Sequence, residues 1–562
     1  MATESEPLGA PELPPSAVED IKSRSRYLRG TLLESLSDPL TGALRPDDTQ
    51  VSKFHGFYQQ DDRDLRVERQ AQKLEPLYSF MIRICVPGGV LAPQQWLALD
   101  DLADRYGDGG LRITTRQSVQ LHGVIKQDLK ATIRAINEAV LTTLSACGDA
   151  NRNVMGTPLT CSHRLTDSVQ RVVRELSVEL APRTRAYHEI WIDGEKLPES
   201  ESPVDEEPLY GPTYLPRKFK CAVVVPPDND VDIYAQDLGF VAITDGETLS
   251  GFDVLAGGGM GRAHGDDSTY ARLGSMLGFC TTDHCVDVAR SVLAAQRDLG
   301  NRGERHHARL KYTMDRVGVE AFRADVERRM GFAFQPARHF ELDSTLDHFG
   351  WSERAGLEHL HLHVPSGRVR NAGDHQLRQA LHELAKVHEG SIRLTGNQNL
   401  ILVGVAPNTR ARIQTICEQY HLLAPRSGIR LSALSCVALP TCGLAMAEAE
   451  RYMPSLLALL ERRLEAMGLR DERIVIRMTG CPNGCARPYN AEIGLVGRAP
   501  GLYDLYLGGS RAGTRLAKLV ATNVKEPRLL ELLSPLFEQF AREREPGERF
   551  GDFCARQQAP TP

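Results

Sequence analysis

No apolar run in the 562 residues approaches the roughly 20 that a membrane-spanning helix requires, so a helical membrane protein is excluded. Cysteine is sparse. Twelve in so long a chain do not make a disulfide-stapled scaffold and are expected to be free thiols or ligands. Positive charge is not in surplus: 67 Lys and Arg stand against 73 Asp and Glu, for a net charge of -6, and nothing global points to nucleic acid. The opening stretch, MATESEPLGAPELPPSAVED, lacks the basic-then-apolar order of a secretory signal, so the expected compartment is the cytoplasm. A dinucleotide fingerprint is missing too. DVLAGGGMGR (253–262) follows a strand-like run, but its glycines do not fit G-x-G-x-x-G and no acidic residue stands at a ribose position, so it reads as a tight turn. His306 and His307 in RHHARLKYT read as surface histidines.

A chain this long divides into about two to four domains and can bury a large ligand. Its 41% hydrophobic and 25% charged residues are the balance of a globular protein, a multi-domain enzyme or a large scaffold. The first few tens of residues, rich in Pro, Glu and Ser, read as a mobile tail, with order beginning near EDIKSRSRYLRGTLLESL. The acidic, proline-containing stretch 198–212 reads as a surface excursion.

An internal duplication organises the remainder. FMIRICVPGGV (80–90), a helical stretch from Gln94 to Tyr106 and LRITTRQSVQLHGV (111–124) recur as LHLHVPSGRV (360–369), a helical stretch from Asp374 to Val387 and IRLTGNQNLILVGV (392–405). Each copy is a strand, loop, helix, strand unit. CGDANRNVMGTPLT then follows the first copy and SCVALPTCGLAMAEA the second. The expected fold is therefore α+β and pseudo-twofold. The expected division is 1–78 as an N-terminal tail and docking region, 79–145 with 347–425 as a duplicated central domain, and two larger α/β domains at 146–346 and 426–562. A groove between the halves is the expected place for a large ligand.

Cys436 and Cys442 stand as C-x5-C and Cys481 and Cys485 as C-x3-C, with 38 residues between the pairs. Four cysteines in two loops suit a tetrahedral metal or a cubane cluster. Structural zinc usually shows tighter C-x2-C knuckles, whereas iron-sulfur clusters accept varied spacings. Pro440, Pro482 and Gly484 keep helix and strand from running through these loops. Cys85, Cys147, Cys161, Cys221, Cys280, Cys285, Cys417 and Cys554 form no tight ligand pattern and read as buried small side chains.

SCVALPTC followed by TGCPNGCARPYNAEIGLVG resembles the cluster-binding signature of the sulfite and nitrite reductases that use sirohaem. FHGFYQQDDRDLR (54–66), NRNVMGTP (151–158), LPRKFKCAVVVPPDNDVDIYAQDLGFVAI (215–243) and QRDLGNR (296–302) resemble the haemoprotein (beta) subunits in that family, so the likeness runs from about residue 20 onward. The resemblance implies ferredoxin-like repeats in the central domain and a 4Fe-4S cluster on Cys436, Cys442, Cys481 and Cys485, with Cys485 also the axial ligand of sirohaem. It implies six-electron reduction of sulfite to sulfide, with Arg83, Arg152, Lys218 and Lys220 binding substrate oxygens and relaying protons. Arg suits oxyanions through its planar fork, and a desolvated Lys can deliver a proton. Lys218 and Lys220, two apart in a strand-like run, face one side with Phe219 opposite.

For the macrocycle's carboxylates the candidates are Arg112, Thr115, Arg116 and Gln120, joined by Arg217, Lys311 and Asn483. Arg112, Arg116 and Gln120 are spaced evenly and would share one face of a strand. Their counterparts in the second repeat are Arg393, Asn397 and Ile401, so charge is lost there. With no flavin or nicotinamide motif, the electrons must come from outside. The resemblance makes the donor a diflavin (FAD/FMN) NADPH reductase subunit in a hetero-oligomer, docked partly through the region before residue 80. A ferredoxin donor and a nitrite substrate are the alternatives.

Overall fold

The computed structural model describes residues 13–160, 162–193, 207–354 and 356–557, together with Gly9 and Pro11. Cys161 and most of the predicted surface excursion (194–206) lie outside the described residues. Two five-stranded antiparallel sheets form the centre. The first orders Phe57–Asp61, Tyr78–Ile84, Val119–Val124 and Leu111–Ile113, and the second orders Gly350–Arg354, Leu357–Leu362, Leu400–Val405 and Ser391–Leu394. Alternation decides their faces: Phe80, Ile82 and Ile84 are fully buried on the first sheet, as are Leu360 and Leu362 on the second.

The two copies exchange edge strands. Val90–Leu91, leaving the first repeat, pairs with Ser391–Leu394 of the second, and Arg368–Val369 of the second pairs with Leu111–Ile113 of the first. Each exchange follows a tight turn with a left-handed residue, Gly88 at φ 62° and Ser366 at φ 50°. The repeats are thereby locked into one body. The predicted helices are Pro93–Arg105 and Leu377–Val387. Arg378 on the second donates from Nε to Asp100 Oδ1 (2.6 Å) and from Nη2 to Asp100 O (2.6 Å) on the first.

Two sequence expectations change. The first sheet opens at Phe57, so the stretch assigned to tail and docking contains that sheet's edge strand, and Lys22 on helix Ala17–Arg24 is 1% exposed. The run 111–124 is a hairpin, not one strand: Thr114 N donates to Ser118 O (2.8 Å) and Gln117 turns at φ 52°. Arg112 and Gln120 are therefore partners across that hairpin, while Arg116 sits in its turn.

The two larger units share one topology. Met155–Gly156, Cys221–Val224 and Leu238–Asp245 run parallel, followed by antiparallel Thr248–Ala256 and Ser275–Thr281. Ala433–Ser435, Ile476–Thr479 and Ile493–Ala499 likewise run parallel before Leu502–Leu507 and Lys518–Val524. The last unit has its own apolar core, including Leu456, Ile476, Leu495, Leu533 and Phe553. Among the described residues no helix is long and apolar enough to cross a membrane.

The Arg378 fork is the buried polar tie between the repeats, and Asp100 is only 6% exposed. Arg378→Met would leave that buried carboxylate with His382, 2.8 Å from its other oxygen, as its remaining side-chain partner, and is expected to cost about 3 kcal/mol in urea denaturation. The double variant with Asp100→Leu should recover most of the loss.

Candidate functional site

The four cysteines of the split motif converge. Burial pushes the Cys481 thiol up to about 12, and the neighbouring Cys485 and Cys442 push it the same way. Cys436 and Cys442 are raised by burial and then by Cys485 beside them. Thiols 39 to 49 residues apart reinforce one another in this way only when gathered at one place. Among the described residues no three His, Cys, Asp or Glu side chains crowd a single point as the ligands of one metal ion do. Four thiols brought together from two loops are donors of the kind that hold an iron-sulfur cluster.

Both loops are held by backbone contacts. Cys436 N donates to Met478 O (3.2 Å), and its Sγ accepts from Gly480 N (3.3 Å). Arg63, from the first half of the chain, donates to Ala445 O (2.5 Å) beside Cys442. On the second loop Pro482 O accepts from Arg262 N (2.9 Å) and Tyr489 Oη (3.0 Å). Thr115 Oγ1 donates to Cys485 O (3.1 Å), and Asn483 Nδ2 reaches Cys481 Sγ at 3.7 Å. The turn DVLAGGGMGR, expected near this pocket, lies against the loop. A Cβ on Gly261 would sit 3.1 Å from Asn483 O, tighter than an ordinary contact, so a side chain there would press on the cysteine loop.

Around Cys485 the groove is cationic. Residues 150–152 run beside 218–220, with Arg152 N donating to Phe219 O (3.0 Å) and Phe219 N to Ala150 O (3.1 Å). Phe219 is fully buried, and Lys218 and Lys220 face the other way, as the alternation predicts. Burial pushes the Lys218 ammonium down to about 7, with Arg217, Arg309 and Arg152 adding to the effect. Lys220 falls well below the usual lysine value through burial and then through Lys218 and Arg116. Neither amine has a hydrogen-bonded carboxylate among the described residues. Cys485 is among the charges felt by both Lys218 and Arg83, which places the amine and the guanidinium on its side of the groove.

Arg83 is aimed from behind. With the Gln120 oxygen turned toward it, Nε and Nη2 donate at 3.1 and 2.6 Å, and Nη1 donates to Cys147 Sγ at 2.9 Å. Tyr58 stands beside it, with the Arg83 guanidinium 5.9 Å from the ring centroid, and also hydrogen-bonds Arg152. Sequence reasoning passed over both neighbours. Tyr58 lay in a string used only for family likeness, and Cys147 was counted as structural; its place before NRNVMGTP was the available signal.

Other carboxylate-binding candidates are engaged by the protein itself. Arg112 is 2% exposed, pairs with Glu450 and donates from Nη2 to Ser435 O (3.0 Å) next to Cys436, so its guanidinium supports the first cysteine loop. Arg116 donates to Gln236 Oε1 and Asn153 O (both 2.7 Å) and keeps a buried Nε without a partner. Lys311 donates to Gly259 O (3.2 Å), Gly261 O (2.7 Å) and Tyr270 O, which shapes the glycine turn. Arg217 lies 3.7 Å from Asp149 and is partly exposed. His306 and His307 are surface groups paired with Asp266 (2.9 Å) and Glu304 (3.0 Å).

The duplication places a mate groove on the other side. Arg83 opposes Gln120 in the first sheet as His361 opposes Ile401 in the second. Cys485 precedes left-handed Arg487 by two residues as Asp230 precedes left-handed Asp232. The mate is a cavity of about 30 Å³ lined by Asp228, Asp230, Asp347, His361 and Ile401. That is room for about one water, between these three carboxylates and the side chains of His348, Arg354 and His361.

A lysine whose folded pKa is depressed to about 7 is charged in both states below that pH, while above it only the unfolded chain keeps the proton. Chain stripped of prosthetic groups should therefore gain stability as pH rises from about 7 toward the ordinary lysine value of about 10.4. In Lys218→Met that rise should be smaller in urea midpoints measured across the same window.

A family model described as nitrite and sulphite reductase 4Fe-4S domain matches residues 173–334, and one described as nitrite/sulfite reductase ferredoxin-like half domain matches 72–139 and 352–420. The first match falls on the unit whose topological mate carries the four cysteines. The NADPH sulfite reductase hemoprotein beta-component of Myxococcus xanthus (strain DK1622) is 54% identical over 546 residues, covering 97% of this chain and 96% of its own. That of Geobacillus kaustophilus (strain HTA426) is 52% identical over 554 residues, covering 98% and 96%. The solved structure of the Mycobacterium tuberculosis NirA protein shares the fold at TM-score 0.78 and 23% identity, over 97% of this chain and 96% of that one. Duplicated half domains, the split cysteine motif and this extent of identity place the chain in the nitrite and sulfite reductase family.

Proposed function

We propose that the chain is the catalytic haemoprotein subunit of an assimilatory NADPH-dependent sulfite reductase, converting sulfite to sulfide with six electrons and six protons. The observation that carries this reading is a pair of amines on one face, Lys218 beside Cys485 and Lys220 beside Lys218, with no hydrogen-bonded carboxylate among the described residues. The residues fit the implied groups. Cys436, Cys442, Cys481 and Cys485 would hold a 4Fe-4S cluster, and Cys485, exposed toward the groove, would also reach sirohaem iron. When bound, the two groups supply electrons one at a time to the substrate's sulfur. A macrocycle with eight carboxylates demands positive charge, and Arg116, Arg217, Lys218 and Lys220 supply it in a chain whose net charge is -6.

The protein's own work is electrostatic and protonic. Arg83 and Arg152 present guanidinium edges fixed from behind by Gln120, Cys147, Gly148 O and Ala146 O, so little reorganisation is needed when an oxyanion arrives. Lys218, poised near neutrality, can hold a proton at Nζ and pass it to a departing oxygen, and Lys220 beside it can do the same once an anion restores its charge. Thr115, Asn483 and Lys311 shape the cysteine loop and its glycine turn. The name carried by the relatives, NADPH sulfite reductase hemoprotein beta-component, supports a separate diflavin reductase subunit that oxidises NADPH as the electron donor.

Purified protein should show the visible bands of an isobacteriochlorin together with cluster absorption, and sulfite should turn over faster than nitrite at low substrate. A colourless or cluster-only preparation would sink the proposal. Lys220→Met should keep both groups yet lose about 10²–10⁴-fold in sulfite turnover. Cys485→Ser should disturb the cluster and haem spectra together, and a change in one alone would contradict a shared sulfur.

A further inference from the structure

The two α/β units meet at a buried ionic joint on the pseudo-twofold axis. Asp232 and Arg487 are equivalent residues of the duplication: both are left-handed (φ 49° and 56°) and each opens a short 3-10 turn, Ile233–Ala235 and Pro488–Asn490. Their side chains meet, Arg487 Nε donating to Asp232 Oδ2. Asp232 is 1% exposed and Arg487 5%. Burial alone would raise the carboxyl, but Arg477 and Arg487 hold it below the usual range. Arg477 Nη1 lies 2.9 Å from the same oxygen, and Asn490 Nδ2 donates to the other at 3.1 Å.

The rest of the Arg487 fork reaches both repeats. Nη1 donates to Thr115 O and Nη2 to Gly396 O, each at 3.0 Å, and these two residues occupy matching positions in the hairpin turns of the two central sheets. Thr115 in turn donates from Oγ1 to Cys485 O (3.1 Å), two residues before Arg487. A closed path therefore runs from Asp232 through Arg487 and Thr115 to Cys485. Resting on the proposed ligand role of Cys485, we infer that Arg487 is the positioning residue that sets this sulfur's height in the groove, with Asp232 aiming its fork.

Lysine at 487 keeps the charge but has no fork to span two carbonyls and a carboxylate. In Arg487→Lys holoenzyme the fraction of sirohaem magnetically coupled to the cluster, read by EPR, should fall at least threefold, while cluster iron and the melting temperature stay near the parent values. Isosteric Asp232→Asn, which leaves the fork's carbonyl partners, should show a smaller loss of the same kind and serves if the lysine variant does not fold. Parental coupling in the soluble variants would overturn the inference. So would a fall in cofactor content with full coupling in what remains, since that is the signature of general destabilisation. Cys485→Ser, measured alongside, separates the two failures: coupling that survives it refutes the ligand assignment itself, not the role of Arg487.

Discussion

Two amines and several guanidinium groups share one buried groove with too few carboxylates among the described residues to balance them, and the rest of the site follows from that imbalance. Burial disfavours the charged form of Lys218 and Lys220 most, and the like charges held beside them add to it, which is why both amines lose affinity for their protons. The arrangement costs stability in the bare chain and is repaid when an anion enters. A polycarboxylate macrocycle and a sulfur oxyanion are both anions, so the same cations can bind the one and protonate the other.

Arg112, Arg309 and Lys311 show the alternative fate of buried positive charge. Arg309 is neutralised by Asp237 at 2.8 Å, Arg112 pairs with Glu450, and Lys311 is spent on backbone carbonyls. These groups build walls and leave Lys218, Lys220 and the outward edges of Arg83 and Arg152 to face the groove. The division of labour is one between satisfied and unsatisfied donors.

Duplication explains both the site's position and its singleness. Each copy contributes a sheet face, a hairpin turn and an α/β unit, and two pseudo-equivalent grooves result. In one, Arg83, Gln120 and Cys485 meet basic neighbours. In the other the matching places hold His361, Ile401 and Asp230, with Asp228 and Asp347 close by and room for about one water. Asp347 is held there by Thr395 and Asn399, each at 2.7 Å. Burial and then the neighbouring Asp228 raise the Asp230 carboxyl well above its usual range, whereas His361, Asn399 and Thr395 hold the Asp347 carboxyl below its own against the effect of burial, so the fixed negative charge on that side belongs to Asp347.

Periodicity and repetition in the sequence were enough to determine the duplicated α+β plan, the helices beginning near Gln94 and ending at Val387, the outward pairing of Lys218 with Lys220, and the two cysteine loops, because each depends on neighbours within a few residues. The even spacing of Arg112, Arg116 and Gln120 misled, since a turn between Thr114 and Ser118 breaks the strand and no local pattern announced it. Only the tertiary structure decided the exchange of edge strands, the recruitment of Phe57–Asp61 into the first sheet, the roles of Tyr58 and Cys147 behind the arginines, and the meeting of Asp232 with Arg487. Those contacts join residues tens to hundreds of positions apart, and which charged groups end with partners and which without is settled only when the chain has closed on itself.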